Sequence, residues 1–194
     1  MKITIRFHEV TCYEATTGPG TDEIYFAAFP TLVRGTQEGG IEQKILRGVL
    51  SRVMPGFSPG VAQVLELAGD QSTYWEIDTE DAELLVLNWY LYEEDSGAHW
   101  KKLEQDPDIT LAQPVSDWGS FTDYLPRNLA DPLSWAMPVF RLVLNLLCHL
   151  LNDDLIEAKM VSIPLGNPSQ VDVGEYPFVG DGGKYMAKIE VFQE

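Results

Sequence analysis

Between Glu83 and Tyr92 the chain reads ELLVLNWYLY. Successive side chains of a β-strand point to opposite faces, so a run this continuously apolar is hydrophobic on both of them. Such a strand belongs in the middle of a sheet and must be covered twice. Ile24–Val33 has the same texture until Pro30, which has no N–H for a ladder and is expected to break or end the strand. The two ends of the chain read differently. Ile3, Ile5 and Phe7 alternate with Lys2, Thr4 and Arg6, the period of a half-buried strand. The phase slips near His8–Glu9, after which Val10 and Cys12 carry the apolar face, and a bulge is expected there. Lys184–Phe192 alternates in the same way behind a tight turn at Gly180-Asp181-Gly182-Gly183, and Thr73–Ile77 and Leu155–Leu165 read as further strands, the second followed by a loop that leads to that turn.

Two stretches carry helical spacing instead. Ile41, Ile45, Leu46, Val49, Leu50 and Val53 recur at i, i+4 intervals, and Val61–Ala68 reads as a second short helix. Asp131-Pro132 is a capped helix start, and Leu133–Leu151 is apolar for about five turns. Arg141, Asn145 and His149 make a polar stripe along that helix and Pro138 interrupts it, which argues against a membrane span. The pattern predicts a mainly β fold with inserted α-helices, an antiparallel sandwich with the helices packed on one side. One domain over 1–194 is expected, with helical insertions at about 41–68 and 131–152. The expected core draws on Ile3, Ile5, Ile24, Phe26, Val86, Leu87, Trp89, Leu144, Leu147, Ile189 and Val191.

Acidic residues outnumber basic ones 30 to 13, a formal charge of −17. Such a surface repels nucleic acid and anionic lipid, and suits a basic protein partner, a divalent metal or plain solubility. The N-terminus MKITIRFHEV alternates at once and has no apolar core of a signal peptide. A cytoplasmic protein is expected, with export by another route left open, as is the oligomeric state. Cys12 and Cys148 belong to no Cys or His cluster and are expected to be reduced thiols, with one disulfide between them left open.

The acidic residues gather where strands or helices end: Glu14, Asp22 and Glu23 around the first Gly/Pro loop, Glu93, Glu94 and Asp95 after ELLVLNWYLY, Asp153 and Asp154, and Asp181 in the last turn. Calcium takes six to eight oxygens, and loops at one end of a sandwich can supply them from distant parts of a chain. All nine are therefore candidate metal ligands, although no EF-hand spacing occurs. His8, His99 and His149 fall at no ligand spacing, and no GxSxG, HExxH, P-loop or GxGxxG is present, so no catalytic residue is nominated and no enzyme is expected.

The series Cys12-x-Glu14-x-Thr16, then Thr21-Asp22-Glu23-Ile24-Tyr25-Phe26, Glu93–Asp95, Asn152–Asp154 and Asp181 with Tyr185 resembles a group of uncharacterised bacterial C2-like β-sandwich proteins. The resemblance implies a C2-like sandwich with calcium at one rim and no established activity. Three functions follow as expectations. The first is a non-catalytic binding module stabilised by calcium at the acidic rim. The second is an acidic inhibitor or immunity-type protein that neutralises a basic partner. The third is a membrane-active protein whose helices release from the sandwich.

Overall fold

The structure is a computed structural model describing residues 1–16, 21–37, 40–46, 48–68, 72–94, 119–120, 154–166 and 171–193. Its strands are β1 (Lys2–Glu14), β2 (Asp22–Gly35), β3 (Ile41–Ile45), β4 (Val49–Leu50), β5 (Met54–Phe57), β6 (Ala62–Gln63), β7 (Tyr74–Asp78), β8 (Leu84–Glu93), β9 (Gly119–Ser120), β10 (Asp154–Pro164), β11 (Val171–Gly180) and β12 (Gly183–Gln193). They form two antiparallel sheets. In one, β11, β12 and β1 lie side by side, and β6 and β7 pair with the far edge of β1. In the other, β10, β8 and β2 are followed by β3 and β9, with β4 and β5 also paired to β2.

The alternating ends of the chain pair with each other. Ile5 stands opposite Val191 and Phe7 opposite Ile189, and the register then shifts so that Glu9 meets Lys188. His8 is the extra residue, at the place where the sequence phase slips. The inner faces of the two sheets close on one core. Ile3, Ile5, Phe7, Val10 and Cys12 of β1 meet Ile24, Phe26 and Ala28 of β2 and Leu85, Leu87, Trp89 and Leu91 of β8. Trp89 is its centre, with ring centroids 5.0 Å from Tyr176, 5.5 Å from Phe26 and 6.4 Å from Phe7. The expected core residues Ile3, Ile5, Ile24, Phe26, Val86, Leu87, Trp89, Ile189 and Val191 are all buried, with Val86 on the opposite face of its sheet. Leu144 and Leu147 lie outside the described residues.

Three expectations are corrected. Pro30 does not end β2, which runs on to Gly35. Pro30 stands opposite Leu87 on one side, and on the other its carbonyl accepts the Leu46 N–H. A residue's N–H and C=O leave a strand toward the same edge, so the missing donor faces the gap between the β3 and β4 pairings, where no ladder needs it. The helices expected over 41–68 are absent: β3, β4, β5 and β6 occupy that stretch, the first three paired along β2. The loop expected before the last turn is instead β11, paired with β12 over its whole length. The helix expected over 131–152 lies outside the described residues.

The turn from β11 to β12 is the tight one read from the sequence. Gly180 pairs with Gly183, and Asp181 and Gly182 between them take φ of 48° and 79°, the left-handed pair that fits the twist of a two-residue hairpin. Gly180 also lies against the backbone of β10, where a Cβ would sit 1.7 Å from the Ile156 carbonyl oxygen. At that corner the Glu157 carboxylate accepts the Val179 N–H at 2.6 Å, a donor that points away from β12. Pro177 has the same orientation and offers no donor at all.

Candidate functional site

The loop from β1 to β2 carries the chain from one sheet to the other, so the end of β1 and the start of β2 lie at one end of the sandwich. β8 finishes there, with Glu93 opposite Ile24, and β10 begins there, with Asp154 opposite Glu93. The β11–β12 turn is there too, since Lys184 stands opposite Glu14. The described members of the four acidic groups therefore lie at one end.

Their side chains are not equivalent. Asp22 is 4% exposed and faces inward between the sheets. A buried carboxylate needs donors, and Asp22 has them. Thr16 N–H donates to its Oδ2 at 2.8 Å, Thr16 Oγ1 lies 2.8 Å from its Oδ1, and the Tyr185 hydroxyl donates to Oδ2. Thr16 Oγ1 also lies 2.7 Å from Glu93 Oε1. Thr16, just past the end of β1, thus ties β2 to β8, and Asp22 ties β2 to β12 through Tyr185. Gly183 makes room, because a Cβ there would stand 2.8 Å from the Tyr185 ring and 3.0 Å from the Thr16 methyl.

Cys12 completes the knot from β1. Burial pushes its thiol up, the negative charge of Asp22 adds to that, and a hydrogen bond with Tyr185 opposes both. Tyr185 is raised strongly, first by burial and then by its hydrogen bond to Asp22. Both groups are held in their protonated forms. A thiol kept neutral is a poor nucleophile, and the hydrogen bonds of the knot join β2 to β8 and β12.

Glu14, Glu23 and Asp181 point outward as exposed carboxylates around this knot, and none of them makes an ion pair among the described residues. Glu94 is buried, and its N–H donates to the Glu23 carbonyl at 2.7 Å. Asp95 and Asp153 lie outside the described residues, and of Asp154 only the backbone is described. Among the described residues no group of three or more His, Cys, Asp or Glu side chains has the arrangement of a metal centre. Asp22, the most deeply placed candidate ligand, spends its oxygens on hydrogen-bond donors.

Sequence reasoning found Asp22 and Glu93 and missed what joins them. Thr16, Tyr185 and Cys12 stood in the motif with no role attached. Tyr185 had a signal of its own, being the one phenol in the inward register of the last strand, where Ala187, Ile189 and Val191 are apolar. No family model matches the chain, and no curated protein is similar enough to count as a match.

Proposed function

We propose that the chain is a non-catalytic binding module on a C2-like sandwich, whose acidic end receives a basic protein partner. The observation that carries this reading is the gathering of Glu14, Glu23 and Asp181, exposed and without ion pairs among the described residues, at the end where β1 and β8 finish and β2 and β10 begin. On a chain of net charge −17 that end steers and holds positive charge, and the strength of such contacts is screened by salt. The buried knot beneath it supplies rigidity, so the outward carboxylates are presented on a fixed frame.

The test is binding of a fluorescent oligolysine peptide at low and high salt, followed by anisotropy. A triple substitution Glu14→Gln, Glu23→Gln and Asp181→Asn is compared with the charge-matched control Glu9→Gln, Glu83→Gln and Glu175→Gln, three exposed carboxylates elsewhere. The rim triple is expected to weaken binding at low salt by tenfold or more relative to the control, with no response to chelator. Equal weakening by the two triples would overturn the rim as the binding surface. A calcium-specific rise in unfolding temperature, lost on replacing Asp22 and Glu23, would instead make the end a cation site.

A further inference from the structure

The outer face of the β1 sheet falls into two halves. Away from the acidic end its charges pair off: Lys2 lies 3.1 Å from Glu76, His8 Nε2 lies 3.0 Å and Arg6 3.8 Å from Glu190, and the Arg6 guanidinium covers the Phe192 ring at 5.5 Å. Toward the acidic end the face turns apolar. Pro177 stands opposite Met186, Met186 opposite Thr11 and Thr11 opposite Ala62, and in the next row Val179 stands opposite Lys184 and Lys184 opposite Glu14. Tyr13 occupies the register shift between those rows. Tyr13 is 54% exposed and Val179 58%, Pro177 is exposed and Met186 is half-buried. With strands about 4.8 Å apart and alternate residues about 7 Å apart, the patch measures roughly 14 Å by 7 Å. The row on its other side, Glu175, Lys188 and Glu9, is charged again. A contiguous exposed apolar patch bordered by charge marks an interaction surface.

We propose that Tyr13, Pro177, Val179 and Met186 form the apolar half of the surface that receives the basic partner. The partner's contacting segment is then amphipathic, with lysine or arginine over Glu14 and Asp181 and apolar side chains laid on the patch. The proposal rests on the acidic end as the binding surface and adds what the partner carries besides charge. The two chemistries are contiguous, since Glu14 follows Tyr13 in the chain and Asp181 lies two residues beyond Val179. Lys184 is exposed. It keeps its ammonium in water and lends its stem to the apolar surface.

Every simpler partner leaves one half of this surface unmatched. A segment of cations alone would set charged groups over Tyr13 and Val179 and strip them of water with nothing to pair them. A segment of apolar residues alone would bury Glu14 and Asp181 without a counter-charge. An amphipathic segment satisfies both, and the two halves then act on different quantities. The carboxylates speed encounter and are screened by salt, whereas the apolar contact lengthens residence and persists in salt. Tyr13 is the natural anchor, because tyrosines in such positions carry much of an interface's binding energy.

The test is anisotropy with two labelled peptides of equal charge, oligolysine and a peptide in which leucines alternate with the lysines, at low and high salt. The double variant Tyr13→Ser with Val179→Thr removes the patch. Tyr74→Ser is the control, a tyrosine 53% exposed in the charged half of the same face. Wild type is expected to retain the leucine–lysine peptide in salt that releases oligolysine. The patch variant is expected to weaken the leucine–lysine peptide by about tenfold and oligolysine by less than about twofold, and Tyr74→Ser to change neither. Equal losses in the patch variant and the control, or leucine–lysine binding unchanged in the patch variant, would overturn the patch. The rim triple reports separately: oligolysine binding no weaker there than in its charge-matched control sinks the acidic end, whatever the patch variant does. Methyl NMR of the wild type needs no variant. On adding the leucine–lysine peptide the Met186 and Val179 methyls are expected to shift, and shifts confined to other methyls would sink the proposal. Phosphatidylcholine vesicles that bind wild type and not the patch variant, with both peptides held equally by the two, would make the patch a lipid contact instead.

Discussion

The two sheets obey different rules. In the sheet of β1 and β12 burial alternates residue by residue, and the outer positions Lys2, Arg6, Lys184 and Tyr74 meet solvent. In the sheet of β2 and β8 nearly every residue is buried, whichever way it points. Its second face carries Tyr25, Ala27, Phe29, Tyr90 and Tyr92 as one cluster and Val33, Ile41, Leu84 and Val86 as another. It also carries Thr31 and Asn88, whose side-chain polar atoms are buried with no hydrogen-bond partner among the described residues. One sheet is a wall of the core and the other is a middle layer. The difference teaches that a strand's sequence reports how many of its faces are covered before it reports its neighbours.

The largest effect that tests this contrast is expected inside the shared core. Trp89→Ala should cost about 4 kcal/mol in urea unfolding, the usual order for a large aromatic emptied from a packed interior. Tyr25→Ala on the second face of the β2 sheet should cost nearly as much, about 3 kcal/mol, because Tyr25 is fully buried and stacks on Tyr92 at 5.2 Å. A cost below about 1 kcal/mol would make that face a surface and erase the comparison. Asn88→Leu sharpens it in the opposite direction. Removing an amide whose two polar atoms have no partner among the described residues should raise stability by about 1 kcal/mol. Destabilisation there would mean that the amide has a partner in solution.

A pH titration gives the next effect. Cys12 and Tyr185 both hold their protons more tightly in the folded chain. Their contribution is therefore full below the ordinary thiol range near pH 8.5 and falls as the pH climbs beyond it. Tyr185→Phe should flatten the alkaline decline seen by circular dichroism. An unchanged decline would show that the knot is not its source. The smallest effect is expected from Tyr74→Ser on the open face of the β1 sheet, within about 0.5 kcal/mol in either direction, since Tyr74 is half exposed.

Much of this architecture was legible because long strands leave a periodic trace. β1, β8 and β12, the bulge at His8 and the hairpin at Asp181 all announce themselves over several residues. The 41–68 region did not. Strands of two to five residues are too short to show period two, and Ile41, Ile45, Leu46, Val49 and Leu50 satisfy a helical template by coincidence of spacing. What decides their state is pairing along β2, a partner distant in sequence. β11 hid behind Gly174 and Pro177, residues that weaken any strand taken alone. At the site the acidic groups were visible because charge is conspicuous. Their separation into Asp22 and Glu93, which meet at Thr16, and the outward Glu14, Glu23 and Asp181 was not, since it depends on which way each strand end faces.

The far end of the β11 strand has a consequence for how molecules of this protein meet one another. An incoming strand docking along its outer edge would find no donor at Pro177 and would find the Val179 donor already taken by Glu157. Sheet-to-sheet growth needs an unbroken row of such donors. With the row interrupted at two successive outward positions, fibres cannot propagate through this part of the edge, and crowding alone does not recruit it into them.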